Sequence, residues 1–315
     1  MKIKNWLKTI KNFYYLQDFY WSKKLVELGI SLKDVKIDKA GEIFIKDLEL
    51  NLSKDKYLFL HKPVGFDLAK SLINEAQAKF SIDKNEELII DLGQLKAIIH
   101  TAEELFILKE IFVSGVYNFI GERPVIVWDV GMNAGLASLY FANKENVLLV
   151  AGYEPLEPTY KKALKNLELN PEISKKIKTF NYGVGGQDRS IVVEYTDEYK
   201  GNVGIDGIPD FLKYQGQKFS SEEITIKNAG EVINSITSQY PGIDILAKID
   251  CEGSEYELIN SLYSEGKLGL LKAVMLEWHK KGPEHLVECL SKAGFTVFSF
   301  TPKNQVCGML YAVKS

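Results

Sequence analysis

The chain has 315 residues, of which 46% are hydrophobic and 26% are charged, as in globular proteins rather than disordered or fibrous ones. Thirty-nine Lys and Arg against forty-two Asp and Glu give a net charge of −3, which argues against a generally basic protein that binds nucleic acid. The three cysteines, Cys251, Cys289 and Cys307, lie far apart without CxxC spacing, which argues against a disulfide scaffold and a structural zinc site.

The sequence contains no apolar run of the roughly 18–20 residues that a membrane-spanning helix needs. Lysines and tyrosines also interrupt the first twenty-four residues, so these residues lack the apolar core of a signal peptide. We therefore expect a cytoplasmic protein without an integral membrane segment.

The N-terminal segment differs in composition from the rest of the chain. Residues 1–24 contain six lysines, one aspartate and seven aromatic residues. Ile3, Leu7, Ile10 and Tyr14 follow helical spacing and predict an amphipathic helix. Such a helix either makes a peripheral contact with an anionic membrane or docks on its own domain or on a second subunit of a homo-oligomer. The docking interpretations are favoured, because most apolar helical stripes are buried faces.

From about residue 35 to 119 the pattern is mixed. Short alternating runs predict small strands or hairpins at residues 42–45, 56–61 and 87–92. Longer stretches predict helices at residues 65–80 and 101–119. The run Gly121-Glu122-Arg123-Pro124 is the best local boundary, because an apolar strand follows it at once.

After this boundary, strands and helices alternate regularly. Alternation of this kind predicts right-handed βαβ units and a mainly parallel sheet. The predicted strands are Val125–Val130, Val147–Tyr153, 178–182, 245–250 and 273–278. Two alternating segments, 190–195 and 223–227, predict an inserted antiparallel element. Strands at Phe295–Phe300 and 309–313, joined by a Thr-Pro-Lys-Asn turn, predict a closing antiparallel hairpin.

The turn after the first strand of this sheet carries the clearest chemical signal. It runs Asp129-Val130-Gly131-Met132-Asn133-Ala134-Gly135, and Glu154 follows the second strand. A carboxylate at that second position suits hydrogen bonds to two ribose hydroxyls, in either a dinucleotide or S-adenosylmethionine. A pyrophosphate, however, would require glycine where Asn133 stands and would be repelled by Asp129. The charges therefore favour the cationic S-adenosylmethionine.

A second group of ionisable residues follows the strand at 245–250, in the run Lys-Ile-Asp-Cys-Glu-Gly-Ser-Glu that begins at Lys248. Asp250 and Glu252 are candidate general bases, and Glu255 is interpreted chiefly as a residue that favours a helix N-terminus. The next strand ends in Glu277-Trp278-His279, which adds His279 as a base and Glu277 as the group that orients it. These carboxylates come from one loop without a second contributing segment, so no metal is expected.

These motifs resemble the FkbM family of S-adenosylmethionine-dependent methyltransferases from about Tyr117 to the C-terminus. The matching elements are the glycine turn, Tyr153-Glu154-Pro155, Asn166, Asn170 and, most specifically, the run KIDCEGSE. Met132 departs from the alanine that is usual in the family's turn. The resemblance implies a class I methyltransferase fold, which is a Rossmann-like, mainly parallel seven-stranded sheet that ends in an antiparallel hairpin. It also implies O-methylation of a hydroxyl on a sugar, a glycan or a natural product.

The same resemblance assigns the cofactor-binding residues. It implies that the turn from Asp129 through Val130, Gly131 and Asn133 to Gly135 lines the methionine end of S-adenosylmethionine. Glu154 would bind the ribose, and Gly183 and Val184 would flank the adenine. We place the methyltransferase domain at residues 117–315. We expect residues 1–116 to form an N-terminal extension that determines acceptor specificity or assembly.

Two alternatives belong to other functional classes. One is a nicotinamide-dependent oxidoreductase or epimerase on the same kind of sheet, which Asn133 and Asp129 disfavour. The other is a non-catalytic, methyltransferase-like scaffold that binds cofactor or glycan within a larger assembly.

Overall fold

The computed structural model describes residues 2–118, 121–195, 219–301 and 306–314. The chain divides into two compact units, Met1–Val116 and Tyr117–Ser315. Among the described residues, no helix combines the length and the apolar character that crossing a bilayer requires.

The first unit combines helices with two small antiparallel sheets. Its helices are α1 (Lys2–Leu16), α2 (Phe19–Glu27), α3 (Pro63–Ala76) and α4 (Ala102–Lys109), and π-helical Glu110–Ser114 follows α4 directly. One sheet contains β1 (Val35–Ile37), β2 (Ile43–Ile45) and β3 (Leu50–Leu52). The other contains β4 (Lys79–Ile82), β5 (Leu88–Asp91) and β6 (Lys96–Ile98).

Three predictions for the first unit are wrong. The helix predicted at residues 101–119 ends at Ser114, because Gly115 takes a left-handed backbone. Residues 56–61 do not form a strand, because Tyr57 has a left-handed backbone and Leu58–His61 form a 3₁₀ helix ahead of Pro63. The helix predicted to reach residue 80 ends at Ala76, because Gln77 takes the left-handed conformation that caps a helix.

The second unit contains a seven-stranded sheet. Five of its strands are mutually parallel: β7 (Val125–Val130), β8 (Val147–Tyr153), β9 (Ile177–Phe180), β13 (Asp244–Ile249) and β14 (Leu271–His279). The sheet is completed by β15 (Phe295–Phe300) and by β16 (Cys307–Lys314), which is antiparallel to both of its neighbours. The strand order is β15-β16-β14-β13-β7-β8-β9. This is the class I methyltransferase arrangement, so the predicted fold class is confirmed; most of the predicted Thr-Pro-Lys-Asn turn lies outside the described residues.

A second, three-stranded sheet confirms the predicted insertion. It contains β10 (Gly183–Gly185), β11 (Arg189–Tyr195) and β12 (Ser220–Asn228), and β11 and β12 pair antiparallel. The helices in the described residues of this unit are α5 (Leu136–Ala142), α6 (Glu157–Glu168), α7 (Pro171–Ser174), α8 (Ala229–Gln239), α9 (Glu255–Ser264) and α10 (Glu284–Lys292).

The central strands position the site. All six residues of β7 are buried, as expected for a parallel strand that is covered on both faces. Strand β7 lies between β8 and β13. The strands that follow β7 in the chain are first added on the β8 side and later on the β13 side, so the strand order reverses at β7. Ligands of such sheets bind beyond the carboxyl ends of the strands at this topological switch point. The glycine turn and the KIDCEGSE run both lie there.

Candidate functional site

The glycine turn leads from β7 into α5 and brings two segments into close contact. Gly131 has a φ of +81°, and a Cβ at this position would collide with the backbone oxygen of Asp250. Asn133 also has a left-handed backbone, with a φ of 51°. The turn therefore requires glycine at position 131, because any side chain there would separate the turn from the end of β13.

Glu154 connects the glycine turn to the end of β8 through hydrogen bonds. Its carboxylate accepts hydrogen bonds from the backbone N–H of Asn133 and of Leu156, both at 3.0 Å. Burial raises the pKa of this carboxyl to about 7, although both hydrogen bonds oppose the shift. Each carboxylate oxygen has a further lone pair, so Glu154 can still accept hydrogen bonds from a ligand.

A cleft opens beside Glu154. Six of the predicted cofactor residues line it, together with two of the predicted catalytic residues: Val130, Gly131, Asn133, Glu154, Gly183, Val184, Asp250 and Glu252. The sequence did not predict the apolar wall, which consists of Val193 on β11 and of Ile224 and Ile226 on β12. Residues at alternate positions of these strands share one face, and that periodicity could have identified this wall.

Asp129 and Gly135 are not among the residues that line the cleft, and their predicted role at the methionine end of the cofactor stays a prediction. Asp129 is fully buried; it accepts a hydrogen bond of 2.6 Å from Ser138 Oγ and lies 3.3 Å from Lys248 Nζ. Burial raises the pKa of Asp129, and the charge of Lys248 opposes that shift. Gly135 packs closely against Ala163 and Leu167 of α6. Both residues therefore stabilise the glycine turn through contacts with α5, β13 and α6.

Lys248 connects β13 to the glycine turn. Its buried ammonium donates a hydrogen bond of 2.6 Å to the carbonyl oxygen of Gly131 and lies 3.6 Å from Asp250 Oδ2. The desolvation that accompanies burial lowers the pKa of this lysine, but Asp129 and Asp250 raise it above its ordinary value. Lys248 thus remains a cation among carboxylates at the end of the central strands.

The predicted catalytic residues come together at the ends of β13 and β14. His279 Nε2 lies 3.6 Å from Glu252 Oε2 and 3.9 Å from Glu277 Oε1. One ligand atom each from Asp250, Glu252 and His279 lies within 4.8 Å of the others, so these three could hold a cation. The expected absence of a metal stays a prediction.

Glu255 contacts the histidine most closely. Its carboxylate is fully buried and lies 3.2 Å from His279 Nδ1. The same carboxylate accepts hydrogen bonds from the backbone N–H of His279 at 2.8 Å and of Gly253 at 2.7 Å. Glu255 therefore joins the end of β14 to the loop after β13 and directs Nε2 towards Glu252. Glu277, which the sequence predicted to orient the histidine, lies at the other ring nitrogen, with Oε1 3.9 Å from His279 Nε2, and its role stays a prediction.

Glu252 and His279 both have pKa values above the ordinary values of their side chains. Burial raises the pKa of Glu252 to about 8, and the nearby charge of His279 opposes this shift. Burial alone would lower the pKa of His279, but the hydrogen bond to Glu255 and the charge of Glu252 raise it to about 9. Near neutral pH the cluster therefore contains an imidazolium, which must lose its proton before His279 acts as a base.

These shifts predict how stability depends on pH. Glu154, Glu252 and His279 all bind a proton more tightly in the folded protein than in the unfolded chain. Their contribution to stability is therefore present at low pH and is lost as pH rises through about 7 to 9. We expect the free energy of unfolding, measured by urea denaturation without cofactor, to fall by about 3 kcal/mol or more between pH 5.5 and 8.5.

The variant Glu252→Gln provides the control for this pH dependence, because glutamine imitates the protonated acid at every pH. Its unfolding free energy should decrease less steeply between pH 6 and 8 than that of the parent chain. A parent chain whose stability is constant or increases over this range would contradict the assigned shifts.

Comparison with known proteins gives three informative sequence relatives, although no family model matches the chain. The AMB antimetabolite synthetase AmbE of Pseudomonas aeruginosa is 26% identical over 224 residues, which cover 62% of this chain but 10% of the synthetase. Methyltransferase sdnD of Sordaria araneosa is 26% identical over 220 residues, which cover 61% of this chain and 82% of that protein. Methyltransferase 1 of Beauveria bassiana is 23% identical over 174 residues, or 51% and 68% of the two chains. The similarity to two proteins named methyltransferases supports methyltransferase activity.

Solved structures resemble the chain more distantly. The alignment with the METTL16 MTase domain covers 96% of this chain and 92% of that domain's chain, with 14% sequence identity and a TM-score of 0.40. The alignment with a precorrin-6y C5,15-methyltransferase from Geobacter metallireducens covers 64% of this chain and 86% of that protein's chain, with 12% sequence identity and a TM-score of 0.36. At these TM-scores the similarity adds nothing to what the strand order already shows.

Proposed function

We propose that the chain is an S-adenosylmethionine-dependent O-methyltransferase of the FkbM type, with a hydroxyl of a sugar, a glycan or a natural product as the acceptor. One observation carries the proposal: the buried carboxylate of Glu154, held by two backbone amides, lines a cleft together with Asp250 and Glu252. This arrangement combines a fixed hydrogen-bond acceptor for ribose with negative charge for a sulfonium.

The residues of the cleft fit this cofactor. Glu154 would bind the ribose hydroxyls, and the wall of Val193, Ile224 and Ile226 offers an apolar surface for adenine. The carboxylate of Asp250 places negative charge on the same cleft, which favours a cationic ligand over a pyrophosphate. Bound there, S-adenosylmethionine would supply a methyl group that is already activated for transfer.

The protein's task is then to align the acceptor and remove its proton. Holding two reactants in the correct geometry can lower the barrier by roughly 7–11 kcal/mol. A hydroxyl is a weak nucleophile near neutral pH, and a general base adds roughly 10²–10⁴-fold in rate. Asp250 lines the cleft directly. His279 has one ring nitrogen held by Glu255 and the other facing the acidic cluster, so it can receive the proton once its own has left.

Calorimetry with S-adenosylhomocysteine and with NAD separates this proposal from the oxidoreductase alternative. We expect saturable binding of S-adenosylhomocysteine and none of NAD. Transfer of a labelled methyl group to a panel of sugars and other alcohols then tests catalysis. The variants Asp250→Asn and His279→Gln should retain binding of S-adenosylhomocysteine, whose thioether sulfur carries no charge, and at least one should lower turnover by roughly 10²-fold or more.

The variant His285→Gln is the matched control, because His285 is exposed and contacts Asn260 away from the cleft. Its turnover should equal that of the parent chain. Failure of the parent to bind S-adenosylhomocysteine would refute the proposal. Binding without transfer to any hydroxyl acceptor would instead favour the scaffold alternative.

A further inference from the structure

Helix α1 packs with its polar side inward. The buried side chains of this helix include Thr9 and Asn12, which are 7% and 8% exposed. Asn12 Nδ2 donates a hydrogen bond of 3.4 Å to the carbonyl oxygen of Ser22 in α2. An amphipathic helix that only completed the core of its own unit would place its apolar side inward instead. The orientation of α1 therefore leaves its apolar side available to another partner.

The outward side of α1 is strongly apolar. Its large side chains are 41–74% exposed, and they are Trp6, Leu7, Ile10, Phe13 and Tyr14. At about 100° per residue these five positions fall within one arc of about 120°. Phe19 of α2 extends this surface; its ring centroid lies 6.3 Å from that of Phe13, and the side chain is 61% exposed. Contiguous exposed apolar surface of this kind marks an interaction site.

Basic residues border the apolar arc. Lys4, Lys8 and Lys11 are exposed and occupy an adjacent arc of about 60°. The helix contains four lysines and no acidic residue, although the net charge of the whole chain is −3. The partner should therefore offer negative charge beside an apolar interior.

A second copy of the chain does not meet that requirement. A two-fold contact through the same face would bring the lysines of both helices together and would require like charges to be neutralised. A bilayer with anionic headgroups offers both features, since its phosphates lie directly above its acyl chains. Aromatic and lysine side chains are typical of helices that lie in this interface.

We propose that α1 lies on an anionic membrane surface. The arc from Trp6 to Tyr14 enters the boundary between headgroups and acyl chains, and Lys4, Lys8 and Lys11 contact the phosphates. Leu7 and Ile10 lie near the centre of the buried arc.

Flotation of the full chain with lipid vesicles tests this proposal. The protein should float with vesicles of phosphatidylcholine mixed with phosphatidylglycerol, much less with pure phosphatidylcholine, and less again as salt is added. Neutralising three lysines in Lys4→Gln/Lys8→Gln/Lys11→Gln should weaken binding by about 100-fold. The matched control Lys33→Gln/Lys36→Gln/Lys39→Gln removes the same charge from exposed positions outside α1 and should bind as the parent does.

Intrinsic fluorescence provides an independent measurement of the same contact. All four tryptophans lie in the described part of the chain; Trp21, Trp128 and Trp278 are buried, whereas Trp6 is exposed. Anionic vesicles should therefore shift the emission to the blue, brominated lipids should quench it, and Trp6→Phe should remove both effects. The variant Leu7→Ser/Ile10→Ser changes exposed positions, so it should melt like the parent but no longer float.

Three outcomes would overturn the proposal. The first is failure of the parent chain to float with anionic vesicles. The second is an equal loss of binding in the two triple-lysine variants, which would show a non-specific charge effect. The third is a dimer in solution, detected by light scattering, that Leu7→Ser/Ile10→Ser dissociates, which would make the face an interface between copies. Each result is independent of methyl transfer and of cofactor binding.

Discussion

Replacing Glu154 by alanine is expected to weaken the binding of S-adenosylhomocysteine by at least about a hundredfold. Two hydrogen bonds from ribose hydroxyls to a charged acceptor contribute roughly 1.5–3 kcal/mol each. The substitution also removes the acceptor for the backbone N–H groups of Asn133 and Leu156, so the turn loses its attachment to β8. Isothermal titration calorimetry at neutral pH measures the loss.

Glutamine at position 154 is not expected to rescue binding. The carboxylate now accepts a hydrogen bond from each of two backbone N–H groups. The amide nitrogen of glutamine would face one of these donors with a second donor, so that hydrogen bond could not form. The variant Glu168→Ala serves as the control, because Glu168 is exposed at the end of α6. If Glu154→Ala bound the ligand as the parent does, the ribose would have to lie elsewhere in the cleft.

The sheet was predictable because its strands are buried. A strand covered on both faces reads as a continuous apolar run, as in Val125–Val130, and such runs located the parallel strands closely. Glu154 was predictable for a related reason, since an acid directly after a buried parallel strand must lie at the carboxyl end of the sheet. The short strands of the first unit are three or four residues long and carry little periodic signal. This explains the incorrect strand at residues 56–61.

The roles of Asp129 and Glu255 depended on contacts between distant segments. Asp129 and Lys248 are register partners on β7 and β13, so their side chains share one face of the sheet and pair there. That pairing could be inferred from the sequence once β7 and β13 were known to be neighbours. Glu255 occupies a position where acids commonly favour a helix N-terminus. Only the tertiary fold shows that it is buried and contacts His279.

Lys248→Met is expected to destabilise the protein by about 3–5 kcal/mol, which is a large part of the 5–15 kcal/mol typical of a folded domain. Methionine preserves much of the side chain's volume but removes the ammonium that faces Asp129 and donates to the carbonyl oxygen of Gly131. The fully buried Asp129 would then keep Ser138 as a hydrogen-bond donor without a countercharge. Urea denaturation of the cofactor-free chain measures the loss.

A double-mutant cycle shows whether the destabilisation comes from the ion pair. Adding Asp129→Asn removes the uncompensated charge, so Lys248→Met/Asp129→Asn should be less destabilised than the sum of the two single variants. Lys161→Met is the surface control: its partner Glu157 is exposed, and its effect should stay within about 0.5 kcal/mol. Strict additivity in the cycle would show that Lys248 acts through Gly131 and Asp250 rather than through Asp129. In that case the lysine would stabilise the cleft by joining the glycine turn to the end of β13, where the candidate base lies.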